Sequence, residues 1–147
     1  MSAQTLVTVL LPTKRRVPLV IKSVQSILSL AKDPTAIEIA VAYDEDDNDS
    51  DAFFQSSDWR ELIDSYGAQD QVFKTPKWGY VNLHNYYNLM AQNSQGQWLL
   101  IWNDDATVIT PNWDQYVADA NNYVGMLHAD CTTYGKLTLF PIFPKKW

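Results

Sequence analysis

The sequence predicts a three-layer α/β/α fold on a mostly parallel β-sheet, with the last strand or strands antiparallel. Three observations carry this. Short apolar runs alternate along the chain with segments of helical spacing, the order expected of β-α units. Those runs are nearly continuous in Val, Ile, Leu and Trp, as strands covered on both faces are. Three of them end in polar or charged clusters: Pro12-Thr13-Lys14-Arg15, Asp44-Glu45-Asp46-Asp47 and Asn103-Asp104-Asp105. At 147 residues the chain is long enough to form one domain with a real core, taken as residues 1–147, and its 46% hydrophobic content argues against disorder.

Residues 6–11 (Leu-Val-Thr-Val-Leu-Leu) read as a buried first strand ended by Pro12-Thr13. Residues 17–31 have helical spacing, with Val20, Val24, Ile27 and Leu28 on one face. Pro18 suits the first turn, where a missing N–H costs little, and Asp33-Pro34 closes the helix. Residues 36–43 read as the second strand, followed by a polar, solvated loop from Asp44 to Asp51. Ser57 is a candidate cap for a helix over 58–66, and Gly67 its stop.

A short third strand is expected at 71–74 and a helix at 80–92, with Leu83, Tyr86, Tyr87 and Met90 on its apolar side. Ser94 to Gly96 turns into a fourth strand at 98–102. Thr110-Pro111 reads as a cap followed by proline, opening a helix over 112–122. Residues 123–128 and 136–142 are two further strands with no helix between them, so at least one is expected to pair antiparallel. Trp59, Trp98, Trp102 and Trp113 are expected in the core, whereas Trp78 falls in a loop where it could stack on a base or sugar.

Eleven basic against seventeen acidic residues give a net charge of −6, which argues against a nucleic-acid or anionic-membrane surface. The basic residues are nevertheless bunched, with Lys14-Arg15-Arg16 after one strand and Lys74 and Lys77 after another, so a local anion site is compatible with an acidic chain. No apolar run approaches the length of a membrane helix. Cys131 is the single cysteine, no internal disulfide can form, and the cytoplasm is the expected compartment. No glycine-rich phosphate loop is present, which counts against P-loop and dinucleotide-fingerprint folds.

In a parallel sheet the three strand-end clusters share one edge and converge on one crevice. The series resembles the nucleotide-sugar half of a GT-A glycosyltransferase of the inverting family-2 kind, over roughly residues 5–120. Four features carry the resemblance. They are the strand running into Pro12-Thr13-Lys14-Arg15, the strand ending in Asp44 with its acidic loop, a helix led by Gly79 with Asn85 midway, and the Asp-x-Asp-like Asn103-Asp104-Asp105.

The resemblance implies that Pro12, Thr13, Lys14, Arg15, Asp44, Asn85, Asn103 and Asp104 bind a nucleoside-diphosphate sugar. It also implies that Asp105, with Asn103, holds Mn²⁺ or Mg²⁺, which offsets diphosphate charge. Two departures stand out. Asn103 replaces the usual first aspartate and brings an oxygen without charge. His84 replaces an arginine, leaving Lys74 or Lys77 to meet the phosphates. The family's acceptor half and base lie beyond the equivalent of this chain, so most of the acceptor-binding half is expected to be lacking. Asp130, after a strand, is the candidate base. A bare apolar edge near residues 140–147, covered by self-association, is expected too. Two functions stand side by side: sugar transfer to an acceptor of unknown kind, and a non-catalytic nucleotide-sugar-binding or assembly module on the same fold. A receiver-like domain is a third reading, but it needs a lysine that only Lys136 loosely supplies.

Overall fold

A computed structural model describes residues 4–131 and 140–146. Six strands form one sheet in the order β3-β2-β1-β4-β6-β5: β1 Val7–Pro12, β2 Ile37–Asp44, β3 Gln69–Thr75, β4 Trp98–Ile101, β5 Leu127–His128 and β6 Pro141–Pro144. The first four are parallel, and β6 pairs antiparallel with both β4 and β5. The expected α/β sheet with antiparallel last strands is therefore the one observed. Of the strand expected at 136–142, residues 136–139 lie outside the described residues, as does Lys136, and β6 extends two residues past its expected end.

β1 takes the centre because it has no face that tolerates water: Val7, Val9, Leu10 and Leu11 are fully buried. Its alternation divides the core. Val7, Val9 and Leu11 face one layer together with Ile39, Val41, Trp98 and Leu100, and there they meet Val20, Val24, Ile27 and Leu28 of α1 (Val17–Ser29). Each of those helix side chains contributes about 1.5–3 kcal/mol on full burial. Leu10, Ala40, Ala42 and Leu99 face the other way and receive Tyr86 and Met90 of α4 (Leu83–Asn93). The small Ala40 and Ala42 leave room there for the bulky Tyr86 and Met90.

Several boundaries differ from the sequence expectation, each for a local reason. The Asp44–Asp51 stretch is not a solvated loop. It contains α2 (Asn48–Phe54), opened by Asp47, whose carboxylate accepts from the Ser50 backbone N–H. Phe53 and Phe54 anchor that helix on Trp59. α3 (Ser57–Tyr66) starts one residue early, with Ser56 rather than Ser57 in the cap position, and ends as expected on Gly67 at φ 65°. Residues 80–82 form a 3₁₀ turn before α4. Thr110-Pro111 does not open α5 (Trp113–Asp119), which follows Asn112 in a left-handed conformation. The stretch 123–128 contributes only the two residues of β5.

Trp59, Trp98, Trp102 and Trp113 are buried as expected, and three of their indoles donate internally, to Asp70, Ser23 and the Ile27 carbonyl. Of the apolar edge expected near 140–147, Trp147 lies outside the described residues, and the rest is largely covered. Phe140 packs on Trp102 at a ring-centroid distance of 4.6 Å, and Ile142 and Pro144 are buried in the sheet.

At the opposite edge from the strand-end clusters, a buried polar group fixes the sheet's base. Glu38 accepts from Thr8 Oγ1 (2.7 Å), Gln71 Nε2 (2.9 Å) and the Gln95 backbone N–H (2.9 Å). Thr8 Oγ1 in turn accepts from the Gly96 N–H. A buried carboxyl needs such partners. Gly96 is required for the closeness of this turn, because a Cβ there would lie 2.4 Å from the Thr8 backbone nitrogen. Gly96→Ala is expected to destabilise the fold by about 1–3 kcal/mol through overpacking, read as a lower urea midpoint with unchanged m-value.

Candidate functional site

The strand order places a topological switch point between β1 and β4. From β1 the chain proceeds outward through β2 and β3, then returns to the other side of β1 to form β4. Open α/β sheets bind ligands in the crevice outside the strand ends at such a point. The Thr13 hydroxyl, one residue past β1, donates to Asp104 Oδ2 at 2.8 Å and bridges the switch point directly. Both residues are buried.

The loop leaving β1 carries Lys14, Arg15 and Arg16, and each of the three bonds, by side chain or backbone, to a carboxylate at or after the end of another strand. Lys14 Nζ lies 3.0 Å from Asp44 Oδ2, at the end of β2. The Arg15 backbone N–H donates to Asp47 Oδ2 at 2.7 Å. Arg16 Nη1 lies 3.2 Å from Asp104 Oδ1 and 3.9 Å from Asp105 Oδ2. Arg15 holds φ at 53°, a left-handed backbone that costs a non-glycine residue roughly 1–2 kcal/mol. The bond from its N–H to Asp47 holds that turn in place.

Asp44 is 3% exposed, and its second partner is the Tyr86 hydroxyl, which donates to Oδ1. Tyr86 also accepts from the Gly79 N–H at 3.1 Å and lies edge-on to Trp78 at 5.1 Å. Burial first, then the Asp44 carboxylate, pushes the Tyr86 phenol upward, so it stays protonated and donating at neutral pH. Tyr87 behaves alike: burial, then the charge of Asp104, pushes it up to about 12, and its hydroxyl donates to the Trp102 carbonyl at the root of the Asn103-Asp104-Asp105 turn. Farther out, Lys77 lies 3.0 Å from Asp46 and holds that carboxyl below its usual range, and Lys74 lies 3.2 Å from Asp51.

The structure thus gathers Pro12, Thr13, Lys14, Arg15, Asp44, Asn103, Asp104 and Asp105 at one edge. Asn103 and Asp105 are exposed, whereas Asp104 is buried under Thr13 and Arg16. Asn85 sits in α4, and the α4 side chain that reaches Asp44 is its neighbour Tyr86. Asp130 follows β5, which runs in the same direction as β4, so it falls at the same sheet edge, two strands from β4, or about 10 Å. It is exposed and pairs with His128 Nε2 at 3.1 Å.

Three participants carry individual roles that local pattern did not single out. Tyr86 looked like one more apolar helix position. Arg16 is joined to a carboxylate 88 residues away. Asp47 did carry a signal, the Asp-x-x-Ser spacing of a helix cap, but the acidic run around it reads as solvated loop.

Metal-holding capacity is partial. Among the described residues no group of three or more His, Cys, Asp or Glu side chains is arranged around a common point. Asp105, 59% exposed, and the exposed Asn103 amide offer two hard oxygen donors facing outward. This donor set fits a hard cation shared with a ligand's phosphates and water, as Mg²⁺ is commonly held, and does not fit a closed protein cage.

Asp47 is expected to matter for stability. It accepts from the Arg15 N–H, the Ser50 N–H and the Ser50 hydroxyl. Burial pushes its carboxyl up, but these bonds together outweigh burial and pull it below the usual range. A depressed folded value means its contribution is present above the unfolded pKa, about 4, and is lost as pH falls through the folded value. Asp47→Ala should cost about 2–4 kcal/mol at neutral pH, through a lost cap and an orphaned buried N–H. Urea unfolding from pH 7 to pH 3 should show a shallower acid loss in the variant than in the wild type.

No family model matches the chain, and no curated protein matches it in sequence. Solved structures do match it in fold. A mannosyltransferase, PcManGT from Pyrobaculum calidifontis, in complex with GDP-Man and Mn²⁺, superposes with a TM-score of 0.68 at 16% identity, over 95% of this chain and 44% of that one. S. aureus TarS 1–349 in complex with UDP gives 0.64 at 14% identity, over 85% and 35%. The 4-diphosphocytidyl-2C-methyl-D-erythritol synthase of Anaerococcus prevotii gives 0.54 at 12% identity, over 97% and 71%. The chain spans less than half the length of either glycosyltransferase structure. Its mostly parallel sheet with antiparallel last strands is the α/β GT-A-like fold of these neighbours.

Proposed function

We propose that this chain is a nucleoside-diphosphate-sugar-binding domain of a metal-dependent glycosyltransferase. The observation that carries the reading is the convergence, at the β1/β4 switch point, of Thr13 and Asp104 with the buried Asp44 beside them. The fold neighbours with bound GDP-Man and UDP support it.

Each group has a role in this reading. Asp44, oriented by Lys14 and Tyr86, accepts hydrogen bonds from the base or ribose, with Pro12, Thr13 and the Arg15 backbone shaping the same wall. Asn85 belongs to the helix that backs this wall. Asn103 and Asp104 meet the ribose, and Asp105 with Asn103 holds Mn²⁺ or Mg²⁺. The cation supplies charge to offset the diphosphate as the nucleotide departs. Lys14 and Arg16 lie where phosphate oxygens could exchange for their present carboxylate partners, and Lys77 supplies positive charge in place of the arginine replaced by His84. Asp130 is the candidate base toward an acceptor. Among the described residues no helix is long and apolar enough to cross a membrane.

A second reading, a binding module without transfer, is favoured by the position of Asp130: it is exposed, paired with His128 and two strands from β4. Donor turnover decides between the two.

Isothermal titration of the chain with UDP and GDP, with and without Mn²⁺, tests the donor site. Micromolar binding of at least one, strengthened about tenfold or more by Mn²⁺, is the expected outcome, tenfold being about 1.4 kcal/mol. Asp105→Asn should abolish the Mn²⁺ enhancement, and Asp44→Asn should weaken nucleotide binding about tenfold with or without metal. Folded protein that binds neither nucleotide refutes the reading.

A further inference from the structure

We infer that Arg16 is a resident counter-cation of the Asp104–Asp105 turn, displaced when a divalent cation arrives and thereby released to pair with the ligand's diphosphate. This rests on the donor-site reading above and concerns how that site is loaded.

Arg16 is the last residue before α1, and its guanidinium reaches across the switch point to two consecutive carboxylates, 3.2 Å and 3.9 Å away. The two partners differ. Asp104 is buried and already receives the Thr13 hydroxyl, so its position is fixed without Arg16. Asp105 is 59% exposed, and Arg16 is its ion-pair partner. Adjacent carboxylates repel, and a cation between them relieves that repulsion. A guanidinium that is itself 54% exposed is held weakly enough to exchange, since exposed ion pairs are worth little. A divalent cation on Asp105 carries twice the charge, and it would repel Arg16 at this distance.

Released from Asp105, the guanidinium remains tethered beside Thr13 at the mouth of the crevice. Its planar fork of donors matches phosphate oxygens. The same side chain therefore opposes metal binding before the nucleotide arrives and favours the metal-bound nucleotide afterwards.

Those two effects have opposite signs, which makes them separable. Arg16→Gln keeps most of the side-chain length and removes the charge; its backbone carbonyl, which accepts from the Leu19 and Val20 N–H groups at the start of α1, is retained. Mn²⁺ alone is titrated into wild type and variant, and free Mn²⁺ is read by electron paramagnetic resonance. The variant is expected to bind Mn²⁺ about three- to tenfold more tightly than wild type. At saturating Mn²⁺ the same variant is expected to bind UDP or GDP several-fold more weakly. Arg16→Lys, which keeps the charge, should stay near wild type in the first titration and guards against a folding artefact. Unchanged or weaker Mn²⁺ binding by Arg16→Gln overturns the proposal, whether or not nucleotides bind. Failure of wild type to bind any nucleotide, with the Mn²⁺ difference intact, overturns the donor-site reading instead.

Discussion

The crevice depends on how the chain leaves β1. Four consecutive residues there, Thr13 to Arg16, each form a bond to a carboxylate at or after the end of another strand: Thr13 and Arg16 to Asp104, Lys14 to Asp44, and the Arg15 backbone to Asp47 at the start of α2. The loop must turn through a left-handed residue at Arg15 to make these bonds, and no glycine is present to ease it. A conformation of that kind persists only where its surroundings over-determine it. Here they do, because the Asp47 carboxylate is itself locked by Ser50 at the start of α2.

One consequence is that the crevice carries its own internal charge balance. Lys14, Arg16, Lys74 and Lys77 each have an acidic partner within 4 Å. This reconciles a chain of net charge −6 with bunched cations. The cations hold the carboxylates in place and are not spread as a basic surface. It also means that an anionic ligand entering the crevice exchanges ion pairs instead of filling an uncompensated positive pocket. The cost is modest where the pair is exposed, as at Arg16, and larger at Asp44, whose carboxylate is buried and also held by Tyr86.

Much of the scaffold was legible because its signals are local. The apolar runs of β1, β2 and β4, the helical face of α1 and the Gly67 stop of α3 each occupy a short window in which composition and period speak without help from the rest of the chain. α2 was not legible, because its exposed turns are acidic and its anchor is an aromatic contact to α3. β5 was overestimated for the converse reason. The stretch 123–128 contains apolar residues, yet Tyr123, Val124 and Met126 are exposed and only two residues find β6 to pair with. Side-chain periodicity reports capacity to be buried, and a partner strand decides whether burial occurs.

Local pattern alone was enough to indicate a mostly parallel α/β sheet and to mark three strand ends, around Pro12-Thr13, Asp44 and Asn103-Asp104-Asp105, as neighbours on one edge. That follows from parallel polarity alone, since parallel strands put their C-terminal ends on one edge. Tertiary structure decided the partners within the crevice. Which carboxylate each cation meets, why Tyr86 rather than Asn85 reaches Asp44, and why Asp104 is buried while Asp105 faces outward depend on sheet order and on how α4 packs over Ala40 and Ala42. These contacts join residues 30 to 91 positions apart. A hydrogen bond over such a separation is set by where the backbone places both ends, and local pattern carries no information about that.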